Sequence, residues 1–282
     1  MQTKEGRQME EIRRVAQNIM QEITTEKEQS RLTDSKISSE VCPKCHGLGV
    51  IFYNRGNYEY AKDCDCGINQ RKEEQSRLAF AEIPKTFEEV ALQNFRFDLY
   101  QSETSRNTAM AAAKAVKFWL ENWQTNQQDG KGLYLFSGTK GSGKTRMAVS
   151  IANYLIRQKK IYVRFATSPQ IISHIAASWE DGGEAALLSG LGKVTVLIID
   201  DFGTEQVKPW IAEKFYQIIN ERYINRRITI FTSNMSLDNL EYDDRITNRI
   251  KECSYLIPFP EESVRDKIAE DNARQLRLAI QN

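Results

Sequence analysis

The second half of the chain alternates runs of consecutive apolar residues with segments whose apolar residues recur every three or four positions. Runs such as GLYLFS at 132–137 and VTVLIID at 194–200 are apolar at nearly every position, which indicates strands buried on both faces. In the segments between these runs, the recurrence of apolar residues every three or four positions indicates amphipathic helices. Strands and helices that alternate in this way predict a parallel sheet covered by helices.

This pattern predicts an α/β fold with five parallel strands. The predicted strands lie at 132–137, 160–166, 194–200, 228–233 and 254–259. The predicted helices lie at 107–123, 143–158, 169–179, 208–223, 243–252 and 261–279.

The first 82 residues show a different pattern. Residues 1–35 predict a charged helix with one narrow apolar stripe, which either packs on its own domain or docks on a partner. A polar helix at 67–82 leads to Pro84, where the pattern breaks. We therefore expect an N-terminal domain over 1–82 and a second domain over 83–282.

Length and charge support two globular domains and exclude some classes of protein. The 282 residues suit about two domains, and 40% of them are hydrophobic, which is enough for a core. The 39 basic residues balance 38 acidic ones, whereas a protein that coats nucleic acid non-specifically has an excess of basic residues. Any contact with nucleic acid must therefore be local or built by several copies of the chain. The polar N-terminus and the lack of a long apolar run lead us to expect a soluble cytoplasmic protein.

A glycine-rich motif directly follows the first predicted strand of the sheet. The sequence GTKGSGKT at 138–145 fits the P-loop pattern, and a predicted helix follows it. Such a loop turns backbone N–H groups toward phosphate oxygens at a helix N-terminus. We expect Lys144 to reach the β- and γ-phosphates of ATP and Thr145 to bind Mg²⁺. The phosphate cradle is expected to include Gly138, Gly141, Ser142 and Gly143.

Polar residues follow the ends of two other strands. Asp200 and Asp201 end the run VTVLIID and begin the next loop, and Asn234 follows the strand at 228–233. We expect Asp200 to help bind Mg²⁺ and Asp201 to act as general base toward the attacking water. Asn234 either orients that water or forms a simple turn.

Three arginines are further candidates for contact with phosphate. Arg245 and Arg249 are four residues apart and so share a helix face. An arginine given to a neighbouring subunit's γ-phosphate is one way to complete such a site, whereas an exposed salt-bridged face is the alternative. Arg265 opens the last helix and is a candidate for contact with phosphate from the C-terminal side.

Four of the five cysteines fall close together in the N-terminal region. Cys42 and Cys45 form one pair, and Cys64 and Cys66 form a second pair after 18 intervening residues. Two close pairs at this separation predict a structural zinc site. The tight second pair leaves open whether His46 or Asp65 replaces one thiolate. The sequence CPKCH also fits attachment of c-type haem, but that reading leaves the second pair unused. Cys253 is expected in the core.

Aromatic residues alternate with basic ones between the two cysteine pairs. These are Phe52, Tyr53, Tyr58 and Tyr60, with Arg55 and Lys62 among them. Such a mixture suits stacking on single-stranded nucleic acid, but in so small a module aromatic residues are more often its core. We therefore predict a miniature core.

Residues 83–270 resemble the AAA+ ATPases of the DnaC/DnaI type, the bacterial helicase loaders, and the related IstB transposition ATPases. The resemblance is carried by AEIPKTFEEVALQNF, GTKGSGKT, VLIIDDFG, INERYINRRITIFTSN, DDRITNRIKE and EESVRDKIA. It implies that Asn234 is sensor I, that Arg249, with Arg245 one turn earlier, is the arginine finger, and that Arg265 is the sensor II arginine. It also implies a reduced C-terminal lid.

The same resemblance implies partners. A finger that acts in trans implies assembly into a ring or spiral, and the family inserts a helical element that lines a channel for single-stranded DNA. The matching segment, 167–193, carries few basic residues. Loaders of the DnaI type carry an N-terminal zinc module that binds the hexameric replicative helicase, so residues 1–82 imply that branch. An IstB-like transposition regulator and a nucleotide-sensing adaptor with little turnover remain alternatives.

Overall fold

The computed structural model describes residues 42–56 and 58–281. The chain divides into two compact units, one ending at Glu73 and the other beginning at Glu74. The predicted N-terminal helix at 1–35 lies outside the described residues. The predicted domain boundary at 82/83 stays a prediction, and the compact units divide within the first helix described below.

The first unit contains a hairpin, and the second contains the large sheet. The strands are β1 (Val50–Arg55), β2 (Tyr58–Asp63), β3 (Gly132–Phe136), β4 (Val163–Thr167), β5 (Val196–Asp200), β6 (Ile228–Ser233) and β7 (Ser254–Pro258). The helices are α1 (Ile68–Ala81), α2 (Glu103–Glu121), α3 (Trp123–Asp129), α4 (Lys144–Arg157), α5 (Ser168–Asp181), α6 (Glu184–Lys193), α7 (Pro209–Ile224), α8 (Asp244–Cys253) and α9 (Arg265–Gln281).

The large sheet confirms the predicted fold. Its five strands are all parallel and lie in the order β4-β5-β6-β3-β7. Every residue of β5 and β6 is buried, which explains why these strands read as continuous apolar runs. The carboxyl ends of β3, β5 and β6 lie at one edge of the sheet, where the polar motifs of the sequence follow them.

Several helices differ from the prediction at their ends for local reasons. The helix expected at 107–123 begins at Glu103, because the Ser102 hydroxyl accepts the N–H of Ser105 as an N-cap. The helix expected at 261–279 begins only at Arg265, because the preceding residues contact the P-loop. Helix α6 had no separate prediction. Across the part of the chain that the structure describes, we find no helix with the length and apolarity needed to span a bilayer.

The prediction of a miniature aromatic core between the cysteine pairs is wrong. Strands β1 and β2 form an antiparallel hairpin in which Tyr53 pairs with Tyr60. Phe52, Tyr53, Tyr58 and Tyr60 are between 43% and 72% exposed. A two-stranded hairpin has little interior of its own, so its rings lie on its surfaces.

A buried arginine ties three elements of the second unit together. Arg222 on α7 is 1% exposed and donates to the carbonyl oxygens of Leu191 and Val194 at 2.8 and 2.9 Å and to the Thr229 hydroxyl at 2.9 Å. It also donates to the carbonyl of Ile228. Burial lowers the pKa of Arg222 to about 9. Its donors satisfy carbonyls at the end of α6 and the start of β6 that packing would otherwise leave unpaired.

Candidate nucleotide site and cysteine cluster

The P-loop joins β3 to α4 and depends on two glycines for its shape. Gly141 and Gly143 have φ values of 81° and 95°, a region that residues with a Cβ atom rarely adopt. A Cβ atom on Gly143 would lie 2.8 Å from the hydroxyl of Tyr100, which itself donates to the Ser142 carbonyl at 2.8 Å. The glycines are therefore required by close packing around the loop.

Lys144 lies at the start of α4, with its ammonium group among P-loop acceptors. Its Nζ atom donates to the carbonyls of Ser137 and Thr139 at 3.3 and 3.0 Å and to the Ser142 hydroxyl at 3.2 Å. The side chain is buried, and this burial lowers its pKa. The loop therefore holds a largely desolvated cation whose hydrogen-bond acceptors are neutral. Such a cation favours the binding of an anion such as a phosphate.

Asp200 ends β5 and contacts the first residue after the P-loop lysine. Its Oδ1 atom accepts the hydroxyl of Thr145 at 2.9 Å and that of Thr232 at 2.5 Å. The carboxyl group is 4% exposed, and burial raises its pKa to about 6. It is therefore mostly ionised at pH 7, and with the Thr145 hydroxyl it provides the oxygen ligands that Mg²⁺ prefers.

Thr232 is a site residue that the sequence reasoning did not assign. Besides donating to Asp200, its oxygen accepts the backbone N–H of Asp201 at 3.0 Å. Asp201 has a φ of 56°, a strained value for a residue other than glycine. The sequence feature that could have identified Thr232 is its position near the end of β6, two residues before Asn234. Asn234 follows this strand and is half-buried.

The segment between β7 and α9 lies against the P-loop. The Glu261 carboxylate accepts the Gly138 N–H at 2.8 Å and the Thr139 hydroxyl at 2.9 Å. Burial opposes ionisation of Glu261, but these hydrogen bonds outweigh it and hold its pKa below the ordinary value. A Cβ atom on Gly141 would lie 3.1 Å from the Arg265 side chain. Arg265 therefore lies beside the P-loop, and its contact with phosphate stays a prediction, whereas Glu261 had no prediction.

Arg245 and Arg249 share a face of α8 and contact α7. Their guanidinium carbons lie 4.7 and 4.9 Å from the ring centre of Tyr216. Arg249 also donates to the Asn220 side chain at 2.8 Å, and Arg245 donates to Asp243 at 2.8 Å. The structure thus brings these two arginines together with each other and with α7. Tyr216 and Asn220 were missed, although their spacing of four marks one helix face.

The four N-terminal cysteines converge. Their sulfur atoms all lie within 4.8 Å of one another, with 3.8 Å between Cys42 and Cys64 and 3.6 Å between Cys45 and Cys66. Four thiolates bound to zinc at about 2.3 Å in a tetrahedron are separated by about 3.8 Å, so the cluster fits this ion.

Neighbouring groups shift the pKa values of two clustered thiols in opposite directions. Burial opposes ionisation of Cys45, but hydrogen bonds from the Gly49 N–H and from Cys66 outweigh it and lower the pKa of this thiol to about 7. The Cys66 N–H favours ionisation of Cys64, but burial and hydrogen bonds with the other three cysteine sulfurs outweigh it and raise the pKa of this thiol to about 12. The carboxylate of Asp65 accepts the ammonium of Lys44 at 2.5 Å. Asp65 is therefore engaged in an ion pair, and the four sulfurs suffice for a tetrahedral site.

The fold and this site define a P-loop nucleotide-binding protein with an AAA+ sheet. A family model described as "IstB-like ATP binding protein" matches residues 70–267. The chain belongs to this family of ATP-binding proteins.

Two curated relatives and one solved structure illustrate the similarity. The chain is 25% identical to YqaM, an uncharacterized protein of Bacillus subtilis, over 68% of this chain and 60% of that protein. It is 26% identical to the replicative helicase loader DnaI of Bacillus subtilis, over 62% of this chain and 53% of that protein. The matches therefore span less than two thirds of either relative. A crystal structure of the DnaC helicase loader superposes with a TM-score of 0.53 at 24% identity, covering 62% of this chain and 99% of that one.

Proposed function

We propose that this protein is an ATP-dependent loader that binds a hexameric replicative helicase and helps to deposit it on single-stranded DNA. The observation that carries the proposal is the four-cysteine cluster preceding an ATP-binding unit of a family whose relatives include helicase loaders. The family resemblance implies that IstB-type transposition ATPases lack this cysteine arrangement.

The ATP site has the parts that hydrolysis requires. Lys144 binds the β- and γ-phosphates, while Thr145 and Asp200 hold Mg²⁺, which neutralises charge on the phosphates. Asp201 accepts a proton from the attacking water, and Asn234 orients that water at the neighbouring strand end. Ser142 and the glycines at 138, 141 and 143 supply the cradle. Arg265 contributes a further positive charge beside the loop.

Arg249 acts on the γ-phosphate of a neighbouring subunit, with Arg245 supporting it one turn earlier. Its contacts with Tyr216 and Asn220 hold the guanidinium on the α7–α8 surface of its own chain. A finger used in trans requires self-assembly into a ring or spiral, and it stabilises the negative charge of the transition state.

The N-terminal region docks on the helicase. Zn²⁺ bound by Cys42, Cys45, Cys64 and Cys66 fixes the fold of this module, because the hairpin buries too little apolar surface to fold alone. Hydrolysis of ATP in the assembled cores then releases the helicase on DNA.

The direct test mixes the protein with the replicative helicase of its host and measures complexes by size-exclusion chromatography with light scattering, in ATP and in ADP. We expect a stoichiometric complex with the wild-type chain that is lost in the Cys64→Ser variant. The Cys253→Ser variant is the matched control and should retain the complex. The absence of a complex in both nucleotide states would contradict the loader function.

The two alternative functions predict different experimental results. An IstB-like transposition regulator forms filaments whose length follows that of duplex DNA, without binding the helicase. A nucleotide-sensing adaptor binds ATP normally but shows no hydrolysis, even with DNA present. Hydrolysis that is abolished by Lys144→Ala and by Asp200→Asn excludes the adaptor.

A further inference from the structure

The β1–β2 hairpin has two surfaces of opposite character. Side chains alternate between faces along each strand, and the register of the pairs assigns each residue to one face. One surface, here called the aromatic face, consists of Ile51, Tyr53, Arg55, Tyr58, Tyr60 and Lys62. The opposite surface consists of Val50, Phe52, Asn54, Glu59, Ala61 and Asp63. Among these twelve residues, both cations lie on the aromatic face and both acids on the other.

The rings of the aromatic face are arranged side by side and exposed. Tyr53 and Tyr60 stack with ring centres 5.8 Å apart and planes 23° apart. Lys62 Nζ lies 5.9 Å from the ring centre of Tyr53. Tyr53, Tyr60 and Tyr58 are 45%, 43% and 72% exposed. The face therefore offers π surfaces next to positive charge on a short two-stranded platform.

We propose that the aromatic face of the hairpin is a binding site for single-stranded nucleic acid. Unpaired bases stack on exposed aromatic rings whatever their sequence, and phosphates pair with nearby cations. Arg55 and Lys62 lie at the two ends of the face, so that a strand crossing the tyrosines meets a cation on each side. A duplex keeps its bases stacked inside and does not offer them to these rings.

Charge distinguishes this ligand from a protein partner. A nucleic acid strand complements a face that has two cations and lacks acids, whereas an acidic peptide would leave the row of tyrosine rings without flat partners. The choice of DNA rests on the proposed function, in which the protein acts at unwound DNA. The aromatic face is a feature of the hairpin alone, and its rings and cations suit single-stranded DNA and single-stranded RNA equally.

The first test measures the affinity of the full-length, zinc-loaded protein for fluorescein-labelled dT15 by anisotropy, without nucleotide, and repeats it with rU15. The Tyr53→Ala/Tyr60→Ala variant should bind at least about tenfold more weakly, as expected for the loss of stacking on two rings. Phe52→Ala removes an equally exposed ring from the opposite face and should bind within about twofold of wild type. A loss with only one oligomer identifies the polymer bound.

The cations give a separate signature in salt. The affinity of wild-type protein should fall with KCl concentration, and Arg55→Gln/Lys62→Gln should reduce the steepness of the log–log plot by about 1.4, at about 0.7 per phosphate contact on a single strand. An unchanged slope contradicts the proposed phosphate contacts.

A covalent readout protects the test from misfolded variants. Wild-type protein is irradiated with an oligonucleotide containing 5-iodouracil, and the crosslinked peptide is sequenced. We expect crosslinks at Tyr53, Tyr58 or Tyr60. Crosslinks found only in residues 74–281, together with wild-type affinity in the double tyrosine variant, would overturn the site. The tyrosine variants are also tested for the helicase complex. If they lose that complex but keep DNA affinity, the face binds protein and the inference is wrong, while the loader function survives.

Discussion

The two units of the chain bury their residues in contrasting ways. All five residues of β5 are buried, whereas all six residues of β2 are exposed. The ATP-binding unit has two clusters of buried apolar side chains, one on each side of the sheet that carries Asp200. The hairpin unit instead gathers four sulfur atoms at its base.

The contrast shows two ways to build a functional surface. Close packing shapes the nucleotide site, where the buried Asp200 carboxylate accepts the hydroxyls of half-buried Thr145 and buried Thr232. We propose that a metal held by the four cysteines replaces a core in the hairpin unit, which leaves its aromatic side chains exposed.

The largest effect should follow the loss of one metal ligand. We expect Cys64→Ser to reduce bound zinc from one ion per chain to nearly none, because three sulfur ligands would remain where a structural zinc site needs four. ATP binding by the second unit should persist. Elemental analysis and nucleotide titration measure both properties. Cys253→Ser should keep its zinc, and equal zinc in both variants would refute the site.

A second prediction concerns whether the ATP site needs an arginine from a neighbouring chain. Arg249→Ala should lower the rate of ATP hydrolysis by about 10³-fold or more while ATP affinity stays nearly unchanged. Lys251→Ala, on the same helix, is the control and should keep the rate.

Mixing two inactive variants sharpens this test. Arg249→Ala removes the proposed finger and Asp200→Asn removes the proposed magnesium ligand, so a mixed assembly would contain some intact sites between chains. We expect hydrolysis to return on mixing. A mixture that stays inactive, with both variants assembled, argues that Arg249 does not act across subunits.

A third change weakens the packed unit through its buried charge. Arg222→Met removes the donor that serves the carbonyls of Leu191, Val194 and Ile228. The free energy of unfolding should fall by about 2–4 kcal/mol, because buried carbonyls lose their hydrogen bonds. Urea unfolding measures it. The exposed Arg227→Met should change this free energy by less than about 0.5 kcal/mol. Equal effects would show that the hydrogen bonds of Arg222 contribute little.

The smallest effect concerns the pH dependence of hydrolysis. In the proposed role Asp200 holds Mg²⁺ in its ionised form, and burial raises its pKa to about 6, so activity should decline as the pH falls through 6. Thr232 donates to this carboxylate and stabilises its charge. Thr232→Val should therefore move the acid limb about one pH unit upward. Ser233→Ala removes the neighbouring hydroxyl, which donates to Phe202, and should leave the limb in place.

The strands of the packed unit could be predicted from the sequence, because each strand is marked by a local run of apolar residues. The apolar runs gave all five strands of the sheet, and the P-loop motif lay between β3 and α4 as expected. The functional roles of the individual residues remain predictions. Thr232, Glu261 and Tyr216 were missed because their roles come from contacts between elements distant along the chain, such as the Glu261 hydrogen bond to Gly138.

The hairpin shows where pattern reasoning fails. Apolar content is a sound guide to burial when a domain is large enough to have an interior. In the cysteine module the interior is the sulfur cluster, so Tyr53 and Tyr60 are exposed although their residue type suggests a core. Period-two alternation would have separated the two faces, but the register that pairs them comes only with the structure.

We propose that zinc holds the first unit together and that close packing holds the second. Hydrogen–deuterium exchange of the full-length protein, followed by mass spectrometry before and after zinc chelation, tests it most directly. We predict that amides of β1 and β2 lose their protection on chelation while those of β3 to β7 keep theirs. Unchanged protection of the hairpin, or loss of protection throughout the sheet, would contradict the account.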